Sequence, residues 1–369
     1  MNRRHALASL ASLAAASLLP AHAGATQSPT AGKLRIALVG LGGYARYALP
    51  RLLQARHATL AGLVSGDRAK AAAWAAEWGL PQVQSLGYAD FDRLADRQDL
   101  DAVHLCLPVG MHAEFAERAL RAGKHVLCEK PLAATSAQAR ALIALAKERG
   151  LTLMPAYRAW YSKPLQDCLA RLRQLGPVTA IDAHKGFAMS LPAGNWRFDP
   201  ALSGGGSLFD IGPYSLQLSR WAADAMPVRA QAHFVRDPGD PRFARVEQHA
   251  AWILEFANGA IATGSSSWRY HLQNHARFTT RQGWIHLDPA TPGSGERARI
   301  ALADPPRIEE PVWPPTDQLP AMYDDFAQAI RDGREPAVSP REGLADLLVI
   351  EAIDKAAEGG GAVAVADLD

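Results

Sequence analysis

Directly after its first largely apolar run, Leu34–Val39, the chain carries Gly40-Leu41-Gly42-Gly43-Tyr44-Ala45, and an Ala- and Leu-rich helical stretch follows over 44–55. A G-x-G-x-x-A turn alone is a weak signal in a chain rich in Ala and Gly. Placed between a strand and a helix, it reads as a dinucleotide loop. Gly40 makes the tight turn, and Gly42 lets the backbone approach a pyrophosphate. Ala45 lets helix and strand pack closely, while Gly43 and Tyr44 open the helix whose N-terminus faces the phosphates.

The same alternation continues downstream. Apolar runs at 60–64, 102–107, 125–128 and 151–154 alternate with helical stretches at 71–78, 111–121 and 136–148. Continuous apolar strands between helices predict a parallel sheet covered on both faces, an α/β Rossmann domain over residues 32–156. After Tyr157 the pattern changes. A helical stretch at 164–174 leads into strand-like runs at 178–183, 228–234, 246–256, 260–268, 276–280 and 284–287. Several alternate apolar and polar residues, and Asn258-Gly259 marks a hairpin turn. Amphipathic helices at 322–331 and 341–357 close the chain. Residues 157–369 are therefore expected to form an α+β domain with a large, mostly antiparallel open sheet. A length of 369 residues suits two domains.

The formal net charge is +2, which gives no electrostatic footprint for nucleic acid. Arg3-Arg4, an apolar run from Ala6 to Leu19, Pro20 and the A-x-A site Ala21-His22-Ala23 read as a secretory signal over residues 1–23. The paired arginines favour the twin-arginine route over Sec. The run is too short to span a bilayer stably, so no membrane attachment is expected of the mature protein, and its place is the periplasm. Of the three cysteines, Cys106 and Cys128 lie in apolar, strand-like runs and Cys168 in a helix-like run, and all three read as small buried thiols. No spacing suggests a metal.

The second strand ends at Val64-Ser65-Gly66-Asp67-Arg68, with Lys70 nearby. Ser65 stands where an NAD-preferring site carries an acidic residue, and Ser65 with Arg68 or Lys70 could hold a 2′-phosphate. That favours NADP, with Asp67 pointing the other way. Glu129-Lys130-Pro131 follows another strand. Pro131 drives Lys130 toward extended geometry at the carboxyl end of the sheet, where open α/β folds place ligands. Further on, Gly204 to Tyr214 reads as a glycine-rich entry to a helix, with Asp210 as its cap and Pro213 in its first turn. Asp210 and Tyr214, four residues apart, then point to one side. Read alone, these are a cap and a core aromatic. Beside a cofactor loop they are a proton-handling pair, and a Lys130 ammonium would favour the tyrosinate that removes a hydroxyl proton.

The order of these motifs resembles the Gfo/Idh/MocA oxidoreductase family, and within it the glucose–fructose oxidoreductase branch. The resemblance runs through Leu107-Pro108 with His112, Lys124 to Pro131, Tyr88 with Phe91-Asp92, Tyr157-Arg158, Trp196-Arg197, Gly204 to Tyr214, and Asp288-Pro289-Ala290-Thr291. Most of the family carries histidine where Tyr214 stands. The resemblance implies that Lys130 lies beside the nicotinamide and the reacting carbon, with Asp210 and Tyr214 at the substrate. It places Ser65 and Lys70 at the NADP 2′-phosphate. It also assigns Tyr88, Leu107, Pro108, His112, Glu129, Arg158, Trp196 and Arg197 to cofactor- or substrate-facing positions. Two departures stand out: Val109 follows Pro108 where relatives carry Asn or Thr, and Pro292-Gly293 replaces a tyrosine near the cofactor.

The expected activity is an NADP-containing sugar oxidoreductase. By ping-pong hydride transfer it would oxidise an aldose to its lactone and reduce a ketose to its alditol on one tightly held cofactor. An ordinary NAD(P)-dependent sugar dehydrogenase, an NAD-dependent exported glycoside hydrolase and a non-catalytic binder are the rival readings. An open sheet wants covering, so a homodimer or homotetramer is expected.

Overall fold

A computed structural model of the chain describes residues 32–80, 83–291 and 295–368. The proposed signal, residues 1–23, and Pro292-Gly293 lie outside the described residues. The first sheet contains β1 (Leu34–Val39), β2 (Ala58–Ser65), β3 (Gln84–Gly87), β4 (Ala102–Leu105), β5 (His125–Cys128) and β6 (Leu153–Pro155). Between them run α1 (Gly43–Gln54), α2 (Arg68–Glu77), α3 (His112–Arg121) and α4 (Ser136–Arg149). The spatial order β3-β2-β1-β4-β5-β6 is parallel throughout, as the apolar runs predict. The chain leaves β1 to one side for β2 and returns on its other side as β4. That reversal opens a crevice at the carboxyl ends of β1 and β4. The helices begin and end where side chains and glycines allow. Thr135 accepts from the Gln138 amide at the start of α4, and Gly150, with φ 63°, ends it.

The remainder holds α5 (Lys163–Gln174), β7 (Val178–Phe187), α6 (Pro200–Ser203), α7 (Ser207–Asp210) and α8 (Gly212–Ala223). Next come β8 (Pro227–Val235), β9 (His249–Phe256), β10 (Ile261–Ser267), β11 (Leu272–Thr280), β12 (Gly283–Leu287), β13 (Ala298–Leu302) and β14 (Arg307–Glu309). α9 (Gln318–Asp332), α10 (Pro340–Gly359) and β15 (Val363–Ala364) finish the fold. The nine-stranded order is β14-β13-β12-β11-β7-β10-β9-β8-β15, antiparallel at every pair except β7 with β10. Asn258-Gly259 does turn β9 into β10, with Gly259 at φ 83°. Strand alternation buries one face under α5, α8 and α10 and leaves residues such as Ile253, Ile261 and Arg277 exposed on the other. β3 and β13 to β15 were not legible: they are short, and polar or exposed enough to carry no clear period.

The last helices bind the two sheets together. α9 packs on α1 and β2, and α10 packs on α4 and β8. Arg220 of α8 reaches Asp346 of α10 at 2.7 Å, both essentially buried, and Gln217 donates to the same carboxylate at 3.0 Å. A buried charge left without its partner is costly. Asp346→Ala should therefore lower unfolding stability by about 3 kcal/mol, read as a lower urea midpoint. An unchanged midpoint would show that this pair does not hold α8 to α10.

Candidate active site

Gly40 sits in the crevice at φ +86°, and a Cβ there would lie 2.7 Å from the Cys106 carbonyl oxygen. Only glycine fits that backbone. A Cβ on Gly42 or Gly43 would meet nothing within 4 Å. The loop backbone thus faces open space at the N-terminus of α1, where Gly42 supplies no side-chain cap. Uncapped amides of a helix's first turn and an open approach are what a dinucleotide pyrophosphate needs.

A cleft of about 620 Å³ runs from this loop to the nine-stranded sheet. Gly40, Gly42, Gly43, Tyr44, Ser65, Lys70 and Tyr88 line one half, with Leu107, Pro108 and Glu129 alongside. Lys130, Arg158, Trp196, Arg197, Asp210 and Tyr214 line the other. Three of the singled-out residues stand apart. Ala45 is fully buried against the sheet, which suits its packing role. Arg68 turns away from the cleft to pair with Asp90. His112 is buried, its ring nitrogens 2.7 Å from the Pro131 carbonyl oxygen and 2.9 Å from that of Leu107. It ties the Leu107-Pro108 turn to the E-K-P segment, and burial lowers its pKa.

Asp67 is engaged as the cap of α2, its carboxylate accepting from the Ala69 and Lys70 amides at 2.9 and 3.2 Å. Its Oδ1 is therefore committed to the helix, while Ser65 and Lys70 remain at the cleft. Cys106 departs from the expectation for the thiols. Cys128 and Cys168 are buried, but Cys106 is half-buried at the cleft wall because β4 ends one residue before it.

At the centre, the Lys130 ammonium donates to the Asp210 backbone oxygen and lies 3.8 Å from its carboxylate. Arg197 approaches the other oxygen of that carboxylate at 3.4 Å. The expected cap needs a correction: Asp210 does not cap a helix, because the cap position of α8 falls on Ile211. Asp210 ends the four-residue α7, and α8 starts at Gly212 without a side-chain cap. Pro213 does occupy the first turn of α8. The Tyr214 ring has the Lys130, Lys185 and Arg158 charges at 5.4, 5.5 and 5.9 Å from its centroid. Arg158 also donates to the Tyr214 hydroxyl at 3.4 Å and to Tyr47 at 3.2 Å.

Two buried devices hold this arrangement. Glu247 accepts from the Gly206 and Leu208 amides at 2.9 and 2.8 Å, and a Cβ on Gly206 would lie 2.0 Å from the Glu247 carbonyl oxygen. Burial raises the Glu247 pKa against these amides. Behind Glu129, His104 contacts its carboxylate at 3.3 Å and meets the Tyr323 hydroxyl of α9 at 2.8 Å.

Sequence reading missed Lys185 and Phe187 of β7, which line the cleft. Strict alternation through β7 puts both on the face of Ile181 and Ala183, so a lysine on an inward position was the available signal. Trp268, one residue past the end of β10, also lines the cleft, and its buried indole N–H has no partner among the described residues.

The described residues hold no group of His, Cys, Asp and Glu arranged to bind a metal. No described helix is long and apolar enough to cross a membrane.

Two family models match. Residues 34–157 match GFO_IDH_MocA, described as "Oxidoreductase family, NAD-binding Rossmann fold", and residues 169–286 match the GFO/IDH/MocA C-terminal domain. The D-xylose 1-dehydrogenase (NADP(+)) 2 of Haloferax volcanii is 32% identical over 314 residues, covering 84% of this chain and 93% of that protein. The crystal structure of aldose-aldose oxidoreductase from Caulobacter crescentus, complexed with glycerol, is 40% identical with a TM-score of 0.85, covering 90% of this chain and 99% of that one. A 3-ketoreductase from Actinomadura kijaniata in complex with NADP and TDP-benzene is 26% identical with a TM-score of 0.79, covering 88% and 98%.

Glu247→Ala should leave the Gly206 and Leu208 amides unpaired and cost about 2 kcal/mol, seen as a lower Tm. A Tm equal to wild type would mean that the Gly204 to Tyr214 segment is held by other contacts.

Proposed function

The chain belongs to the Gfo/Idh/MocA family of oxidoreductases, and from that premise we propose that it moves hydride between a sugar carbon and NADP in this cleft. One observation carries the reading. Lys130, Asp210 and Tyr214 converge in the same cleft as the Gly40–Gly43 loop, so a proton carrier and a dinucleotide cradle share one space. A bound NADP supplies the hydride acceptor and, once reduced, the hydride donor. Ser65 and Lys70 suit its 2′-phosphate, and Tyr44, Tyr88, Leu107, Pro108 and Glu129 suit its walls. Arg158, Trp196, Arg197 and Trp268 suit the sugar. Arg68 is left as a surface ion pair, while Ala45 and His112 hold the loops.

Tyr214 takes the sugar hydroxyl proton as hydride leaves the same carbon, and returns a proton to a carbonyl in the reverse step. Lys130, oriented by Asp210, sits where it stabilises the oxygen that gains negative charge.

In its fuller form the reaction would be ping-pong: an aldose would leave as its lactone, and a second sugar, a ketose such as fructose, would then be reduced in the same cleft at the expense of the retained cofactor. The 40% identity to an aldose-aldose oxidoreductase favours an aldose as an alternative acceptor. The D-xylose dehydrogenase likeness favours a second reading, a simple dehydrogenase that exchanges free NADP. The signal over residues 1–23 supports a periplasmic setting, where a retained cofactor needs no free pool. The exposed sheet face, with Ile253 at 41% and Ile261 at 48% exposure, supports a homodimer or homotetramer.

Nicotinamide fluorescence of the purified protein tests the coupling. Glucose should reduce a co-purified cofactor, and fructose or a second aldose should reoxidise it with no NADP added. A protein that purifies empty and turns over only with added cofactor is the simple dehydrogenase. Lys70→Ala should weaken NADP binding about tenfold and leave NAD nearly unchanged, measured by the same fluorescence. Equal loss for both would move the 2′-phosphate contact elsewhere.

A further inference from the structure

Lys185 is a lysine on the inward face of β7, paired in register with Asn274 of β11 and Ser266 of β10. Its ammonium donates to the Thr291 hydroxyl at 2.7 Å. That hydroxyl in turn bonds Asn274 Oδ1 at 2.7 Å, and Thr291 is 2% exposed. The tether is therefore neutral and rigid. Among the described residues Lys185 makes no salt bridge, in contrast to Lys130 with Asp210 and Arg197 with Asp210. A cation held in the cleft by a neutral tether keeps its field for whatever charge forms beside it. The Tyr214 ring lies 5.5 Å from its Nζ.

We propose that Lys185 is a positioning residue for proton transfer, its ammonium stabilising the negative charge that Tyr214 carries before it accepts the sugar proton, or after it donates one. The inference rests on the reading of Tyr214 as the proton carrier. In the oxidative step the hydroxyl O–H bond breaks and its proton joins the Tyr214 oxygen. The carbon's hydride departs with its electron pair to the nicotinamide, and the C=O bond forms. In the reductive step every transfer reverses. In both directions one end state has a tyrosinate, which Lys185 stabilises only while it is charged.

The groups around Lys185 set where that charge is lost. Lys130 and Arg158 are like charges, Tyr214 faces it from α8, and Asn274, Ser266 and Thr291 are neutral. Burial, then Arg158, then Lys130 bring its pKa down to about 8. Its charge is therefore present below that pH and lost above it, so turnover should fall on the alkaline side.

The test is the pH profile of kcat with glucose as donor and fructose or xylose as acceptor. Three variants, Lys185→Arg, Lys185→Met and Tyr214→Phe, are run beside wild type, and nicotinamide fluorescence checks that each still binds cofactor. Wild type should lose turnover around pH 8. Lys185→Arg should carry the plateau to higher pH, because a guanidinium stays charged. Lys185→Met should fall on the order of tenfold at neutral pH and lose the alkaline limb, the effect of one charge at this range. If both Lys185 variants keep the wild-type limb while Tyr214→Phe is inactive, the inference fails and the Tyr214 reading stands. If Tyr214→Phe turns over normally, the Tyr214 reading fails as well.

Discussion

Everything in the cleft depends on the meeting of Lys130 with Asp210. Lys130 stands at the carboxyl end of the first sheet, and Asp210 ends a helix that leans on the second. Their contact, through both the backbone oxygen and the carboxylate of Asp210, joins the two sheets inside the cleft. Lys130 is largely buried, its side chain 14% exposed, so the ammonium needs this partner. The cap position of α8 falls on Ile211, whose side chain has no acceptor, so that helix starts without a side-chain cap and the Asp210 carboxylate stays in the cleft.

Around that contact, polar groups away from the cleft restrict what the site residues can do. Glu247 clamps the backbone ahead of Asp210. His112 joins two loops of the first sheet. Tyr323 and His104 place α9 behind Glu129, linking a helix late in the chain to the cleft wall. Preorganisation of this kind lets a few charges act on a developing charge without first rearranging. The cations near Tyr214 then differ in kind: Lys130 is neutralised in part by Asp210, whereas Lys185 is tethered by a neutral hydroxyl.

The sequence made the first sheet legible because parallel strands buried on both faces leave continuous apolar runs, and the G-x-G-x-x-A loop supplies the register of function. The second sheet was legible in type, through alternation and the Asn258-Gly259 turn, but its edge strands β13 to β15 were not. Among site residues, Lys130 and Tyr214 could be placed by motif, because their neighbours Pro131 and Pro213 force particular backbones. Arg68 could not be separated from Lys70: both follow Ser65, and only the position of Asp90 decides which turns away. Lys185 escaped because it is a single inward lysine in a strand whose partners, Asn274 and Thr291, come from about a hundred residues further along. Such pairings arise from sheet order, which local pattern does not encode.

The central claim is that one cleft between two sheets holds the dinucleotide at Gly40–Gly43 and the sugar at Lys130, Asp210 and Tyr214. A crystal structure of the protein with NADP and glucose bound tests it most directly. The account predicts the reacting hydroxyl within hydrogen-bond reach of the Tyr214 oxygen and the Lys130 ammonium, with its carbon facing the nicotinamide. A sugar seated away from both groups, or a nicotinamide outside this cleft, would contradict it.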